Sequence, residues 1–208
     1  MPVKTEIPMP ASLEFYFDFS SPYGYFAAER IDALAGKYDR AVNWHPVLLG
    51  AIFKQTGMAP LTQIPIKGEY STLDFSRTAR HMKIPFVMPT TFPIASQAPA
   101  RVMLWIAGHN VEAAKAYAKV AYRAFYVDGF DISKPDTAAA LAAGLGHDRN
   151  AAMAAIDDPQ FKAALKSEVE QAIAHGVFGS PFVIIDGEPF WGVDRLAMME
   201  EWLKTGGW

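Results

Sequence analysis

Hydrophobic and polar positions fall into two textures along the chain. Residues 13–19, Leu-Glu-Phe-Tyr-Phe-Asp-Phe, are aromatic-rich and nearly unbroken, the pattern of a short buried strand. Ser20-Ser21-Pro22 ends it. Serine suits an N-cap, and proline suits the first helical position, where no N–H is needed. The spacing of Phe26, Ile31 and Leu34 predicts one helix over residues 23–37, and residues 41–47 predict a second strand. The chain thus opens as strand, helix, strand, a βαβ unit.

Residues 50–96 are punctuated by Pro60, Pro65, Pro85, Pro89 and Pro93, with short helices predicted at 51–56 and 71–81. From Ala98 to Ile173 alanine dominates. Helical spacing fits 98–108, 111–126, 135–143, 150–156 and 159–175, with Asp157-Asp158-Pro159 as a start signal and Gly144, Gly146 and Gly176 as stops. After Gly179-Ser180-Pro181, residues 182–185 form an apolar strand, Asp186-Gly187 a hairpin turn, and 189–191 a short return strand. A closing helix is expected over 194–205, capped by Asp194 and burying Leu196, Met199, Trp202 and Leu203. The order is βαβ, a helical block, then ββα.

Composition narrows the chemistry. The 208 residues contain no cysteine, which excludes disulfides, thiolate metal sites, iron–sulfur clusters and a cysteine nucleophile. The net charge of −3 is spread without long single-sign runs, so no nucleic-acid tail or polybasic anchor is indicated. Apolar runs such as 102–107 are far short of the roughly 20 residues of a membrane span. Residues 1–10 hold three prolines and no apolar core, so they read as a loose leader rather than a signal peptide, with the cytoplasm as the default location. The five histidines lack metal-ligand spacing, and no metal is expected.

The strand–Ser-Pro–helix front and the x-Pro-ββα back resemble a thioredoxin-like α/β fold with an inserted all-helical domain, of the DsbA and kappa-class glutathione transferase type. On that resemblance residues 12–70 and 176–208 form the two halves of the thioredoxin-like domain, and 71–175 the insertion. Where the DsbA branch carries its attacking cysteine, this chain has Ser21, in Phe17-Asp18-Phe19-Ser20-Ser21-Pro22-Tyr23-Gly24-Tyr25. Serine there is similar to kappa-class glutathione transferases and, more closely, to the 2-hydroxychromene-2-carboxylate isomerases. Four further segments agree: Leu48-Leu49-Gly50-Ala51-Ile52-Phe53-Lys54, Ile66-Lys67-Gly68-Glu69-Tyr70, Gly176-Val177-Phe178-Gly179-Ser180-Pro181-Phe182, and Phe190-Trp191-Gly192-Val193-Asp194-Arg195-Leu196. Met58, Ala95 and Val193 depart from the family pattern, which often has asparagine at the first two and a polar residue at the third.

The resemblance implies a glutathione-dependent isomerase interconverting 2-hydroxychromene-2-carboxylate and its open-chain benzylidene pyruvate. It also implies a homodimer, with a small aromatic substrate and no nucleic-acid or membrane partner. In this reading the sulfur missing from the chain arrives with glutathione, its thiolate held by Ser21 and the first N–H groups of the helix. Serine is not itself the nucleophile, because no suitably spaced base is evident to activate it. Lys67, Ser180, cis Pro181 and Asp194 are the expected glutathione contacts. Lys54 and Arg101 are candidates for the substrate carboxylate, and Phe53, Trp105 and Trp191 for its ring.

Blander readings stand beside these. Ser21 and Asp194 are each good helix caps, Lys67 suits a solvated loop, Arg195 an ion pair and Trp191 the core. The rival functions are a kappa-type transferase or peroxidase and, in another class, a non-catalytic binding module that has lost its cysteine. A serine hydrolase lacks its Gly-x-Ser-x-Gly elbow. Asp18, beside Ser21, is either a buried acid or a strand-end residue.

Overall fold

The computed structural model describes residues 12–208; the predicted leader lies outside them. The centre of the molecule is a four-stranded mixed sheet in the order β2-β1-β3-β4. Strand β1 (Leu13–Phe17) is followed by helices α1 (Pro22–Ala28) and α2 (Ile31–Gly36), then β2 (Val42–Pro46), which runs parallel to β1 with Phe15 opposite Trp44. Helices α3 (Leu49–Thr56), α4 (Lys67–Met82), α5 (Gln97–Ala107), α6 (Val111–Tyr126), α7 (Pro135–Gly144), α8 (Arg149–Asp157) and α9 (Pro159–Ala174) come next in sequence. Strand β3 (Phe182–Ile185) then returns antiparallel to β1, and the hairpin partner β4 (Glu188–Trp191) forms the other edge. Asp186 and Gly187 both take positive φ, as a tight hairpin turn of this kind requires. Helix α10 (Leu196–Thr205) closes the chain.

Strand alternation distributes the core over two faces. Leu13, Phe15 and Phe17 pack with Tyr25, Phe26, Ile31 and Trp44, and with Tyr117, Tyr122 and Tyr126 of α6. Tyr16 points the other way, onto Ile52 of α3 and Val169 and Ala172 of α9. The helical block therefore reaches both faces.

Three elements differ from the sequence expectation. The helix predicted over 23–37 is two helices, because Arg30 leaves helical geometry (φ −126°) and its guanidinium donates to the Met82 carbonyl at the end of α4 (2.6 Å). Helix α4 begins at Lys67, before the predicted residue 71. Gly68 reads as a breaker but is fixed by close approach, since a Cβ there would lie 2.6 Å from the Thr62 carbonyl oxygen. Finally, Asp194 is not an N-cap: residues Val193–Arg195 form a 3-10 turn, and α10 starts after Arg195 without a side-chain cap.

Candidate functional site

Ser21 caps α1. Its Oγ accepts from the Gly24 N–H (3.0 Å) and donates to the Ser180 carbonyl (2.9 Å). The roles are fixed by the partners, because an amide can only donate and a carbonyl only accept. The hydroxyl proton therefore lies on the Ser180–Pro181 loop, whose peptide bond is cis. Pro181 places its own carbonyl to accept from the Gly192 N–H (3.0 Å), which links this loop to the turn carrying Asp194. Ser21 and Ser180 are both buried.

Beneath Ser21 lies Asp18, fully enclosed. Its carboxylate accepts from the main-chain N–H groups of Ser20 (2.8 Å) and Leu49 (2.7 Å), and also bonds the Ser96 side chain. Burial pushes its pKa up; the bonds to Ser20, Leu49 and Ser96 pull the other way without cancelling the shift. The Asp18 N–H donates to Ser180 Oγ (3.1 Å), and its carbonyl accepts from the Tyr122 hydroxyl (2.9 Å) on α6. One residue thus ties the Ser21 turn to α3, to the cis-proline loop and to the helical block. Ser20 adds another tie, its Oγ accepting from the Ile94 N–H (3.0 Å).

Gly24 is where these parts come closest. A Cβ on it would lie 2.7 Å from Ser180 Oγ, 2.8 Å from the Tyr122 hydroxyl and 3.2 Å from the Ser21 Cβ. Asp18, left open in the sequence between a buried acid and a strand-end residue, is the buried acid. Ser96, Gly24 and Tyr122 were not assigned roles from sequence; of these, Gly24, a glycine in a first helical turn, carried a signal, since such a glycine marks a close approach.

Lys67 and Asp194 lie on elements packed against α1. Lys67 opens α4, exposed, and that helix is joined to α1 by the Tyr23 hydroxyl donating to Asp74 (2.5 Å). Burial raises the Asp74 pKa, but the Tyr23 bond and the Arg77 guanidinium outweigh it and hold the carboxylate below its usual range. The 193–195 turn packs on α1, with Asp194 exposed and paired to Arg195 (3.1 Å). Gly192 has φ +107°, and a side chain there would collide with the Asp194 carboxylate. Trp191 lies across Gly179, which has no room for a Cβ.

The substrate candidates do not converge. Arg101 donates to the Ile156 carbonyl (2.9 Å) and lines a groove of about 330 Å³ between α3, α5 and α9. Trp105 packs edge-on against His109 and His147. Trp191 lines a separate hollow beside α10. Phe53 is half-buried and Lys54 exposed, both on α3. These contacts do not bring the ring candidates Phe53, Trp105 and Trp191 into one hollow. Among the described residues there is no metal-binding cluster, and no helix is long and apolar enough to cross a membrane.

The sheet order, the cis-proline loop and the inserted helices define the class. Residues 12–204 match the model of the DSBA-like thioredoxin domain, and the chain belongs to that family. Within it, the chain is 28% identical to the 2-hydroxychromene-2-carboxylate isomerase of Pseudomonas putida, over 90% of this chain and 92% of that one. It is 25% identical to human (Homo sapiens) glutathione S-transferase kappa 1, over 94% of each. A solved 2-hydroxychromene-2-carboxylate isomerase superposes with a TM-score of 0.83 at 27% identity, covering 92% of this chain and 94% of that chain.

Proposed function

We propose that this chain is a glutathione-dependent isomerase of the 2-hydroxychromene-2-carboxylate type, acting in aromatic catabolism in the cytoplasm, where reduced glutathione is held. The observation that carries the reading is Ser21, a buried hydroxyl bridging the first turn of α1 and the cis-proline loop of a DsbA-like fold that has no cysteine. Likeness to named isomerases over nine-tenths of the chain supports it.

The residues present suit the tripeptide. Ser21 supplies a hydroxyl donor, and the Tyr23 N–H at the second position of α1 has no intrahelical acceptor. With α1 only seven residues long, the help to an anion comes from this one N–H rather than from a long helix dipole, since Pro22 has no N–H and the Gly24 N–H donates to Ser21 Oγ. Lys67 is a cation for a carboxylate, Asp194 an acceptor for the ammonium, and the Ser180 main chain an extended edge for the peptide. Bound glutathione supplies a thiolate able to add reversibly to the conjugated carbon of the substrate, so that the double bond can rotate. Ser21 serves that step by turning its proton from the Ser180 carbonyl to the sulfur. Asp18 holds the loop in place while this happens, through its bonds to Ser20 and Leu49.

The test is isomerisation followed by ultraviolet absorbance with and without glutathione. Acceleration only with glutathione supports the reading. No acceleration, together with conjugation of a chlorinated aromatic, replaces it with the kappa-transferase reading that the 25% likeness to the human enzyme favours. No glutathione binding at millimolar concentration replaces both with a non-catalytic module.

A further inference from the structure

The groove between α3, α5 and α9 holds a charge that the chain leaves uncompensated. Arg101 reaches it from the second turn of α5. One Nη1 N–H donates to the Ile156 carbonyl (2.9 Å) in the last turn of α8, which holds the guanidinium in place. That bond uses one of five donors. Nε is buried and has no acceptor, and Arg101 forms no ion pair among the described residues. Asp157 is turned to Lys162 instead (2.9 Å). The Lys162 ammonium is the main reason its carboxylate lies below the usual range, and Arg101 adds to that only through space. A half-buried guanidinium that lacks a counter-charge costs free energy until an anion meets it.

The walls say what the anion is attached to. Leu165, Val169 and Ile173 stand four residues apart along α9, and Leu48 and Ala51 at the start of α3 line the groove with them. Leu165 and Val169 are buried, and the other three are half-buried. The walls are aliphatic, with no aromatic ring among the lining residues. The volume of about 330 Å³ is at the small end for a ligand site and suits one ring or a short alkyl chain. Lys162 and Lys166 line the groove as exposed side chains, and Glu170, the acid among the lining residues, is drawn to Lys166 (3.5 Å). Three cations against one carboxylate favour an anion. Ser21 is not part of this lining.

We propose that the α3–α5–α9 groove is a second binding site, for a small apolar monocarboxylate, with the carboxylate on the free edge of Arg101 and the apolar body between α3 and α9. The planar fork of Arg101 offers a carboxylate two parallel hydrogen bonds, which a lysine could not. The inference stands on the groove alone, whatever the reaction at Ser21.

A two-dimensional NMR titration of the full chain tests it, with 3-phenylpropanoate and octanoate as probes. Both are saturated next to the carboxylate, so neither reacts with a thiolate. The expected result is that one or both shift the amides of Ala51, Val169 and Ile173 at millimolar concentration or below; which of them binds tells an aryl body from an alkyl one. The neutral 3-phenylpropanamide should bind at least about 10-fold more weakly than its acid. Arg101→Met should weaken acid binding roughly 10- to 100-fold, the effect of losing a charged hydrogen-bond partner. Ala51→Phe fills the groove while leaving Arg101 in place, and it carries the test should Arg101→Met fail to fold. Binding should be the same with and without glutathione and in Ser21→Ala, so failure of the Ser21 reading would leave this result standing. Absence of shifts along α3 and α9, equal binding of acid and amide, acid binding unchanged in Arg101→Met or Ala51→Phe, or displacement by glutathione would each overturn the proposal.

Discussion

Gly24→Ala sets two physical effects against each other. Alanine is the better helix former, and in a helix the exchange by itself stabilises by roughly 0.5–1 kcal/mol. Gly24 is buried in the first turn of α1, however, and the added methyl would lie 2.7 Å from Ser180 Oγ and 2.8 Å from the Tyr122 hydroxyl. Neither oxygen is free to retreat, because one accepts from the Asp18 N–H and the other donates to the Asp18 carbonyl. Overpacking costs about 1–3 kcal/mol. Leaving one Asp18 main-chain group buried without a partner costs about 1–3 more. Set against the gain in propensity, the net loss is about 3 kcal/mol, with weakened glutathione binding because Ser180 is displaced. Urea unfolding at constant m-value gives the stability change. Tyr122→Phe removes one of the two obstructing oxygens, so Gly24→Ala should cost less in that background than in the wild type. A Gly24→Ala protein as stable as the wild type would refute the claim that α1, the cis-proline loop and α6 are packed to contact at this point.

Other consequences can be measured separately. Ser21→Ala removes a cap and leaves the Ser180 carbonyl without its donor, so it should lose about 1–2 kcal/mol of stability in urea. Its turnover should fall roughly 10- to 100-fold, the effect of one hydrogen bond to an anion. Asp18→Asn should lose about 2 kcal/mol in the same assay, because both carboxylate oxygens accept from main-chain N–H groups and either orientation of an amide turns its NH2 onto one of them. His45 bonds Glu14 (2.7 Å) and Glu168 (2.9 Å) through its two ring nitrogens. Burial lowers its pKa, but bonds and charge from Glu168 and Glu14 outweigh that and raise it above 6.5. The cluster's stabilisation is thus fully present below pH 6.5 and is lost as pH rises through the folded-state value. The stability difference between wild type and His45→Gln should follow that course in urea titrations at a series of pH values, and a difference that grows with pH would contradict it.

What could be read from the sequence was local. Ser21-Pro22 marked the start of α1, Asp158-Pro159 the start of α9, where the Asp158 side chain accepts from the Gln160 N–H, and Asp186-Gly187 the hairpin. Each is a short-range signal that works through the residue's own backbone. The misses were set by tertiary contacts. Neither Gly nor Pro marks the break at Arg30, which is made where its guanidinium reaches Met82, far along the chain. The cap expected of Asp194 gave way to a 3-10 turn after Gly192, with the carboxylate paired to Arg195 instead. The His45 cluster had no spacing to betray it, since its partners Glu14 and Glu168 come from β1 and α9. The Ser21–Ser180 pair was placed by family resemblance, because local residue patterns do not reveal a contact across most of a chain. Arg101, Trp105 and Trp191 were chosen by residue type alone, and residue type does not say which cavity a side chain joins.

The central claim is that a thiolate brought by glutathione sits against Ser21. Titrating the ultraviolet absorbance of that thiolate on the protein tests it most directly. The account predicts a bound thiol pKa below the ~8.5 expected for a free thiol in water, moving back up in Ser21→Ala. A bound thiol that titrates as it does in water, or one unmoved by Ser21→Ala, would contradict it.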